Sequence, residues 1–325
     1  MKRVFPLTVI IIFVFLIVSF FIPAIREQRL FIANTYENIA SSLNQPRNWI
    51  KWNSEVRDAW QKDSLTCHFQ RDSAQNILTI EIPGKKIRIT GNAYLLYQLE
   101  EVKNNRTTSA FGFGIIPFVG NGQQQSDHNS EIAYSYITNL FYKLFPFMEK
   151  KSFADRTVAA LRSYLEDNAR FYGFPIDVKP AADTLFLTKS ENLPRQEVFS
   201  RLPQLFHDLD TFARGNGCRP GAKNISYTML GHDSLTLMAG ITIDKMIKGD
   251  YLFNFRQLAG DQMLAVGTFK GLYRDRPRLY QTMEKYLSDH QLMRMALPYE
   301  RYSSALPVTD TSTVSFELCY PLRSH

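Results

Sequence analysis

Between Thr184 and Tyr320 the sequence runs one pattern twice, strand, helix, strand, strand, and few folds accommodate that repetition. The first pass takes Thr184–Lys189 as strand, Leu193–Arg214 as a helix stopped by Gly215-Asn-Gly217, and Asn224–Leu230 and Ser234–Ile243 as strands. After a loop at Lys248-Gly-Asp250, the second takes Gln262–Lys270, Arg274–His290, Leu297–Ser303 and Thr313–Tyr320. Alternation of apolar residues marks the strands and a three-to-four spacing marks the helices. Two such units in tandem predict an α+β domain of pseudo-twofold symmetry, with a ligand site where the copies join.

One carboxylate stands out there. Glu300 lies among aromatic residues in Pro298-Tyr-Glu-Arg-Tyr302. By strand alternation Tyr302 shares its face, while Tyr299 and Arg301 point the other way. Tyr227, on the corresponding strand of the first copy, is placed to line the opposite wall, with Tyr273 and Phe269 closing one end. A carboxylate desolvated beside aromatic faces favours a cationic guest or a proton, because burial disfavours its bare charge. Ring faces attract cations by about 0.5–2 kcal/mol each. The plainer alternative is a solvated strand carboxylate beside Arg301, with the tyrosines as core packing. Arg274, Arg276 and Arg278 at the helix start read as an anion site or as a solvated polar face.

Residues 177–322 resemble the GyrI-like domain, also called the AraC-type effector-binding or small-molecule-binding domain. The residues that carry the resemblance are Leu264-Ala-Val-Gly-Thr-Phe-Lys-Gly-Leu-Tyr273, Tyr280–Leu287 on the helix, Pro298-Tyr-Glu-Arg-Tyr302 and Phe316-Glu-Leu-Cys-Tyr-Pro-Leu322. In that family a third-strand Glu in an aromatic cleft meets cationic or amphipathic small molecules, and by match that residue is Glu300. The first copy departs further, with no Gly-x-Tyr turn after Lys189.

Upstream, residues 28–170 read as a separate domain. Leu30–Ala33 is predicted as a strand, Tyr36–Leu43 as a helix, and Leu65–Arg71, Asn76–Pro83, Lys85–Gly91, Tyr94–Glu100, Thr107–Ile116 and Glu131–Thr138 as an antiparallel meander. The loop Gly120–Asp127 separates the last two, and a helix over Ser152–Asp167 closes the unit with Val158, Leu161 and Leu165 on one face. This order, with Asn48-Trp-Ile-Lys-Trp-Asn53, resembles the helix-grip domains of the polyketide cyclase and lipid-transfer superfamily, SRPBCC, whose hallmark is a hydrophobic cavity. Trp49 and Trp52 themselves read as core packing. A linker is predicted at 171–183, leaving 184–325 for the duplicated domain.

The N-terminus is of another kind. Val4–Ile25 is an almost unbroken apolar run after Lys2 and Arg3, and spanning a bilayer takes roughly 20 residues. No A-x-A cleavage pattern follows it, so residues 1–27 are predicted to be a single-pass signal anchor rather than a cleaved leader. The flanking charges put the soluble body outside the inner membrane, in the periplasm.

With 45% hydrophobic and 13% aromatic residues, the 325-residue chain has ample material for packed cores and is not a disordered protein. Its net charge of +7 is scattered rather than gathered into a basic run, and no helix-turn-helix pattern is present, so direct nucleic-acid binding is not expected. Three cysteines, Cys67, Cys218 and Cys319, stand far apart, and the six histidines form no metal spacing, so no metal or other cofactor is expected. Phosphate-loop and serine-nucleophile motifs are absent. The expected function is a membrane-anchored protein holding an amphipathic or cationic small molecule against Glu300. The alternatives are a hydrolase of reactive xenobiotics with Glu300 as general base, or lipid binding by the first domain.

Overall fold

A computed structural model describes residues 4–35, 38–39, 41–42, 46–54, 58–61, 66–71, 76–81, 87–91, 109–117, 130–148, 153–303 and 306–323. The chain divides into two compact units, Met1–Asp167 and Asn168–His325.

The first unit opens with helix α1 (Val4–Ser19) and strand β1 (Pro23–Ile32), then α2 (Pro46–Trp52), β2 (Asp58–Gln61), β3 (Thr66–Arg71), β4 (Asn76–Glu81), β5 (Ile87–Gly91), β6 (Ser109–Pro117), β7 (Ser130–Asn139), α3 (Leu140–Leu144) and α4 (Phe153–Leu165). Among the described residues its seven strands lie in the order β1-β7-β6-β5-β4-β3-β2, antiparallel throughout. Five of the expected meander strands, β3 to β7, follow one another in the sheet, with β5 pairing directly to β6 and β1 returning to pair with β7. Trp49 and Trp52 are buried with ring centroids 4.5 Å apart, and the α4 stripe of Val158, Leu161 and Leu165 is buried as its spacing predicted. Asn34 Nδ2 donates to the Leu165 carbonyl at 2.8 Å, tying the segment after β1 to the end of α4. The strand expected over Tyr94–Glu100 and the loop Gly120–Asp127 lie outside the described residues, as do parts of Tyr36–Leu43, of which residues 38–39 and 41–42 are helical.

The apolar N-terminal run is not one helix. Its 16-residue helical part stops at Ser19, and Pro23–Ile25 enters the sheet opposite Ile137–Asn139. Pro23 keeps the helix from running on into the strand, since proline disfavours helix at the residue before it, Ile22. The Leu140 N–H then donates to the Ile22 carbonyl at 2.7 Å and holds the turn. Among the described residues no helix is long and apolar enough to cross a membrane, and of the run Val4–Ile25 expected to span one, Val4–Ser19 is helical.

The second unit contains α5 (Asn168–Tyr172), β8 (Ile176–Pro180), β9 (Leu185–Pro194), α6 (Val198–Gly215), β10 (Pro220–Met229), β11 (Ser234–Ile243), β12 (Asn254–Gln257), β13 (Met263–Leu272), α7 (Pro277–Asp289), β14 (Tyr299–Tyr302) and β15 (Thr313–Pro321). Among the described residues its eight strands follow the order β12-β9-β11-β10-β14-β15-β13-β8. Read from either edge, each copy gives the same sequence of strands: first outermost, third in the middle, second innermost. The two copies meet along β10 and β14, where Ile225 pairs with Glu300 and Lys223 with Tyr302.

The duplication also extends beyond the predicted four elements. Strand β8, which leads into the first copy, pairs with β13 of the second, and β12, which leads into the second, pairs with β9 of the first. Each copy thus lends its leading strand to the other's edge. This corrects the predicted linker at 171–183. Pro175 and Pro180 read as linker punctuation, but proline is tolerated at the ends of an edge strand.

Apolar stripes of α6 (Leu202, Leu205, Leu209) and α7 (Leu279, Met283, Tyr286) share one core with Leu187, Ile225, Leu237, Phe269 and Phe316 of the sheet. Helix α7 sits tightly on its sheet because β13 carries Gly267, where a Cβ would come within 2.7 Å of Met283 Sδ and 2.9 Å of Leu279 Cδ1. Both helices end in the same cap. Cys218 N–H bonds the Ala213 carbonyl and Gly217 N–H that of Arg214, just as Leu292 bonds Leu287 and Gln291 bonds Ser288. This is the Schellman pattern, which needs a left-handed residue after the helix. Gly217 supplies it at φ +67° and Gln291 at φ +50°.

Candidate functional site

Glu300 sits at the seam of the two copies. On one side its strand partner is Ile225, on the other Leu318, and both aliphatic side chains are fully buried. Glu300 itself is 0% exposed. A carboxylate so placed requires compensation, since an unpaired buried charge costs several kcal/mol, roughly 3–5 when one partner of a buried pair is lost.

Compensation comes from four side chains. Tyr302 Oη donates to Glu300 Oε2 at 2.6 Å, and Tyr273 Oη reaches the same oxygen at 3.5 Å. Tyr280 Oη donates to Oε1 at 3.0 Å, and Arg276 Nε lies 3.2 Å from that oxygen. Tyr227, contributed by the first copy, meets Tyr273 hydroxyl to hydroxyl. The Arg276 guanidinium lies 3.8 Å over the Tyr273 ring and 5.5 Å from that of Tyr227, so it is held by π-faces as well as by the carboxylate. Phe199 of α6 packs edge-on to Tyr273 at 5.6 Å.

Local sequence dictates most of this placement. Alternation along β14 turns Glu300 and Tyr302 inward and Tyr299 and Arg301 outward. Arg301 is spent on the opposite face, with Nε 2.8 Å from Glu317 Oε2 and Nη1 3.4 Å from Asp183 Oδ2. Lys179 also pairs with Glu317, at 3.0 Å. Glu300 is therefore not a solvated neighbour of Arg301. Tyr273, Arg276 and Tyr280 follow one another at i, i+3 and i+7 across the short 3₁₀ turn Tyr273–Asp275 into α7, so all three reach the same side. Pro277 at the first helical position fixes the backbone where Arg276 leaves it.

Burial pushes the Glu300 carboxyl above the usual range, while Arg276 and the hydroxyls of Tyr302, Tyr280 and Tyr273 pull it down and only partly succeed. The phenols of Tyr302, Tyr280, Tyr273 and Tyr227 are raised as well, first by burial and then by the Glu300 charge. They stay protonated and remain donors.

Of the residues singled out in the sequence, Glu300, Tyr302, Tyr273 and Tyr227 come together in one cluster. Phe269 does not border the carboxylate; it stacks on Phe316 at 5.1 Å, and Phe316 in turn contacts the Tyr302 ring at 5.3 Å. Two members escaped sequence reasoning, Tyr280 and the pairing role of Arg276. Their spacing from Tyr273 was the available signal. Arg276 is neither on a solvated polar face nor turned toward an anion site, because its head group faces Glu300. Cys218 and Cys319 are free, buried thiols. Among the described residues no group of three or more His, Cys, Asp or Glu side chains is placed to hold a metal ion.

No protein-family model matches the sequence, and no curated protein matches it. Among solved structures, the chain is similar to the C-terminal domain of EcmrR, at 13% identity and a TM-score of 0.38 over 47% of this chain and 99% of that one. It is also similar to a START superfamily protein from Mycobacterium smegmatis, at 12% identity and a TM-score of 0.31 over 44% and 97%. A third is SAV2435 bound to tetraphenylphosphonium, at 14% identity and 0.31 over 46% and 94%. Likenesses this distant carry nothing about chemistry, so the reading of the site rests on its own geometry.

Proposed function

We propose that the second unit is a small-molecule-binding domain that holds an amphipathic or cationic ligand at the seam of its two copies, against Glu300 and the rings of Tyr302, Tyr273 and Tyr227. The observation that carries this reading is the convergence of one fully buried carboxylate and four phenols, drawn from both copies, on one point. A structural ion pair serves stability poorly compared with apolar packing, so a buried charged cluster at a symmetry seam calls for a role in recognition. Binding is favoured over catalysis by the state of Glu300. Both of its oxygens already accept hydrogen bonds, and one also faces a guanidinium, so neither oxygen stands open to take up and activate a water.

Titrating the full chain with a lipophilic cation such as tetraphenylphosphonium tests the reading. Micromolar binding that weakens at least tenfold in Glu300→Gln is expected. Undiminished binding by that variant would remove Glu300 from the site.

We further propose that α1 associates with a lipid bilayer. Val9–Phe15 are each at least half exposed, and Ile17, Val18 and Phe20 nearly so, giving a helix that is apolar on all sides yet uncovered. A helix of that kind is stable in a protein interior or in lipid, not in water. Flotation of the full chain with liposomes, lost when Ile12 and Phe13 are both changed to Asp, is the expected result. Flotation that persists in the double variant would place the lipid contact elsewhere.

A further inference from the structure

Arg276 occupies the position a cationic ligand would take. Its guanidinium stacks on Tyr273 at 3.8 Å, faces Tyr227, and sets Nε 3.2 Å from the fully buried Glu300 carboxylate. We propose that Arg276 is an internal stand-in for the ligand: the site takes a flat, delocalised cation bearing N–H groups, of the amidinium or guanidinium class, which binds by displacing Arg276 from between Tyr273 and Glu300. This rests on the binding reading above and narrows it.

Three observations support displacement rather than a permanent brace. Arg276 lies at the rim of the cluster, with Tyr227 and Tyr280: its side chain is 21% exposed while that of Glu300 is 0% exposed. A long arginine side chain can swing its head group into water by rotating about its own bonds, and Pro277 keeps the backbone fixed while it does so. Finally, Arg276 stands immediately before the first residue of α7, where the helix dipole repels a cation. Its inward pose is therefore held by the carboxylate and the two rings, the groups a ligand would use, and by the Tyr273 carbonyl, which accepts from Arg276 Nη1 at 3.4 Å.

The geometry also selects among cations. A guanidinium sets its central carbon over the Tyr273 ring and a nitrogen 3.2 Å from Glu300 Oε1 at the same time, an approach open only to a nitrogen not sheathed in methyl groups. A quaternary ammonium offers the first contact and lacks the second. An amidinium joined to an aromatic ring offers both.

The test uses the full chain, with benzamidine as the probe and phenyltrimethylammonium as its N–H-free counterpart. In Arg276→Met the stand-in is gone, and benzamidine binding at pH 8 is expected to tighten at least tenfold, well beyond any gain for phenyltrimethylammonium. A second measurement needs no variant. Phenylglyoxal modification of Arg276 in the wild-type chain, followed by peptide mass spectrometry, is expected to rise several-fold as benzamidine saturates the site. Equal or weaker benzamidine binding by Arg276→Met, or Arg276 labelling that does not rise with saturation, overturns the proposal and makes Arg276 a fixed wall residue. Binding of phenyltrimethylammonium alone, equal in wild type and variant, refutes the amidinium class while leaving the cation-binding reading standing. If neither cation nor tetraphenylphosphonium binds either protein, both readings fall.

Discussion

Tyr302 donates a 2.6 Å hydrogen bond to Glu300, two residues earlier on the same strand. The two side chains point the same way because alternation returns every second residue to one face. The Tyr302 ring is also packed against Phe316, so Tyr302→Phe keeps the packing and removes only the donor. Hydrogen bonds to charged groups are worth about 1.5–3 kcal/mol, and a loss in that range is expected from denaturant unfolding. The same variant raises the Glu300 carboxyl further, since one of the donors that lower it has gone. An unchanged midpoint would show that the bond contributes no net stability.

The pH dependence of stability follows from Glu300. Its folded carboxyl is raised by burial above the ordinary value of 4.5. The folded state therefore holds a proton that the unfolded state has released, over a window that opens near 4.5 and extends upward. Wherever the folded state binds more protons, stability falls as pH rises. Glu300's contribution is thus fully present below that value and is lost as pH climbs through the raised one. Glu300→Gln does not titrate, so unfolding midpoints compared from pH 4 to pH 8 are expected to show wild type losing ground to the variant as pH increases. A constant difference would mean that Arg276 and the tyrosines fully offset the burial.

Much of the second unit was legible because its signals are local. Strand Ser234–Ile243 was placed residue for residue, since its alternation is bounded by turn residues on both sides. Glu300 and Tyr302 followed from parity along β14, and the duplicated order from comparing two segments of one chain. What escaped depends on long-range pairing. Strands β8 and β12 are 5 and 4 residues long, and each exists only because the other copy offers an open sheet edge. The partnership of Arg276 with Glu300 spans 24 residues and crosses from a helix start to a strand, a relation no periodicity encodes. At the N-terminus the error ran the other way. Hydropathy does not register that the helix ends at Ser19 and that Pro23, Ala24 and Ile25 belong to a sheet.

Gly267 is the contact that lets α7 lie close enough for Arg276 and Tyr280 to reach Glu300. An alanine there would set its Cβ 2.7 Å from Met283 Sδ and 3.2 Å from Met283 Cγ, while Leu279 Cδ1 blocks the other side at 2.9 Å. Met283 and Leu279 are both fully buried, so neither has room to retreat. Overpacking of this sort costs about 1–3 kcal/mol. Gly267→Ala is expected to lose stability in that range and also to weaken ligand binding, because the helix carrying two site residues is pushed off the sheet. Loss of stability with unaltered affinity would uncouple α7's position from the site.

The two helix caps offer a test that depends on the duplication alone. Both α6 and α7 end in a residue with positive φ, glycine at Gly217 and glutamine at Gln291. For an L-residue with a Cβ, that conformation costs roughly 1–2 kcal/mol, since Cβ crowds the backbone carbonyl, whereas glycine adopts it freely. The hydrogen bonds of the second cap, from Gln291 to Ser288 and from Leu292 to Leu287, run backbone to backbone and survive the loss of the side chain. Gln291→Gly thus relieves strain in the folded state, while the extra freedom of glycine in the unfolded chain takes some of that gain back. The net expectation is a stabilisation of about 0.5–1 kcal/mol, read from the unfolding midpoint. The reciprocal change, Gly217→Gln, imposes the strain on α6 and brings a Cβ to 3.1 Å from Lys245 Nζ, so it is expected to destabilise by about as much as the first variant gains or somewhat more. Opposite signs for the two substitutions would follow from a shared cap geometry in the two copies; matching signs would show that the caps, alike in hydrogen bonding, differ in what the surrounding chain demands of them.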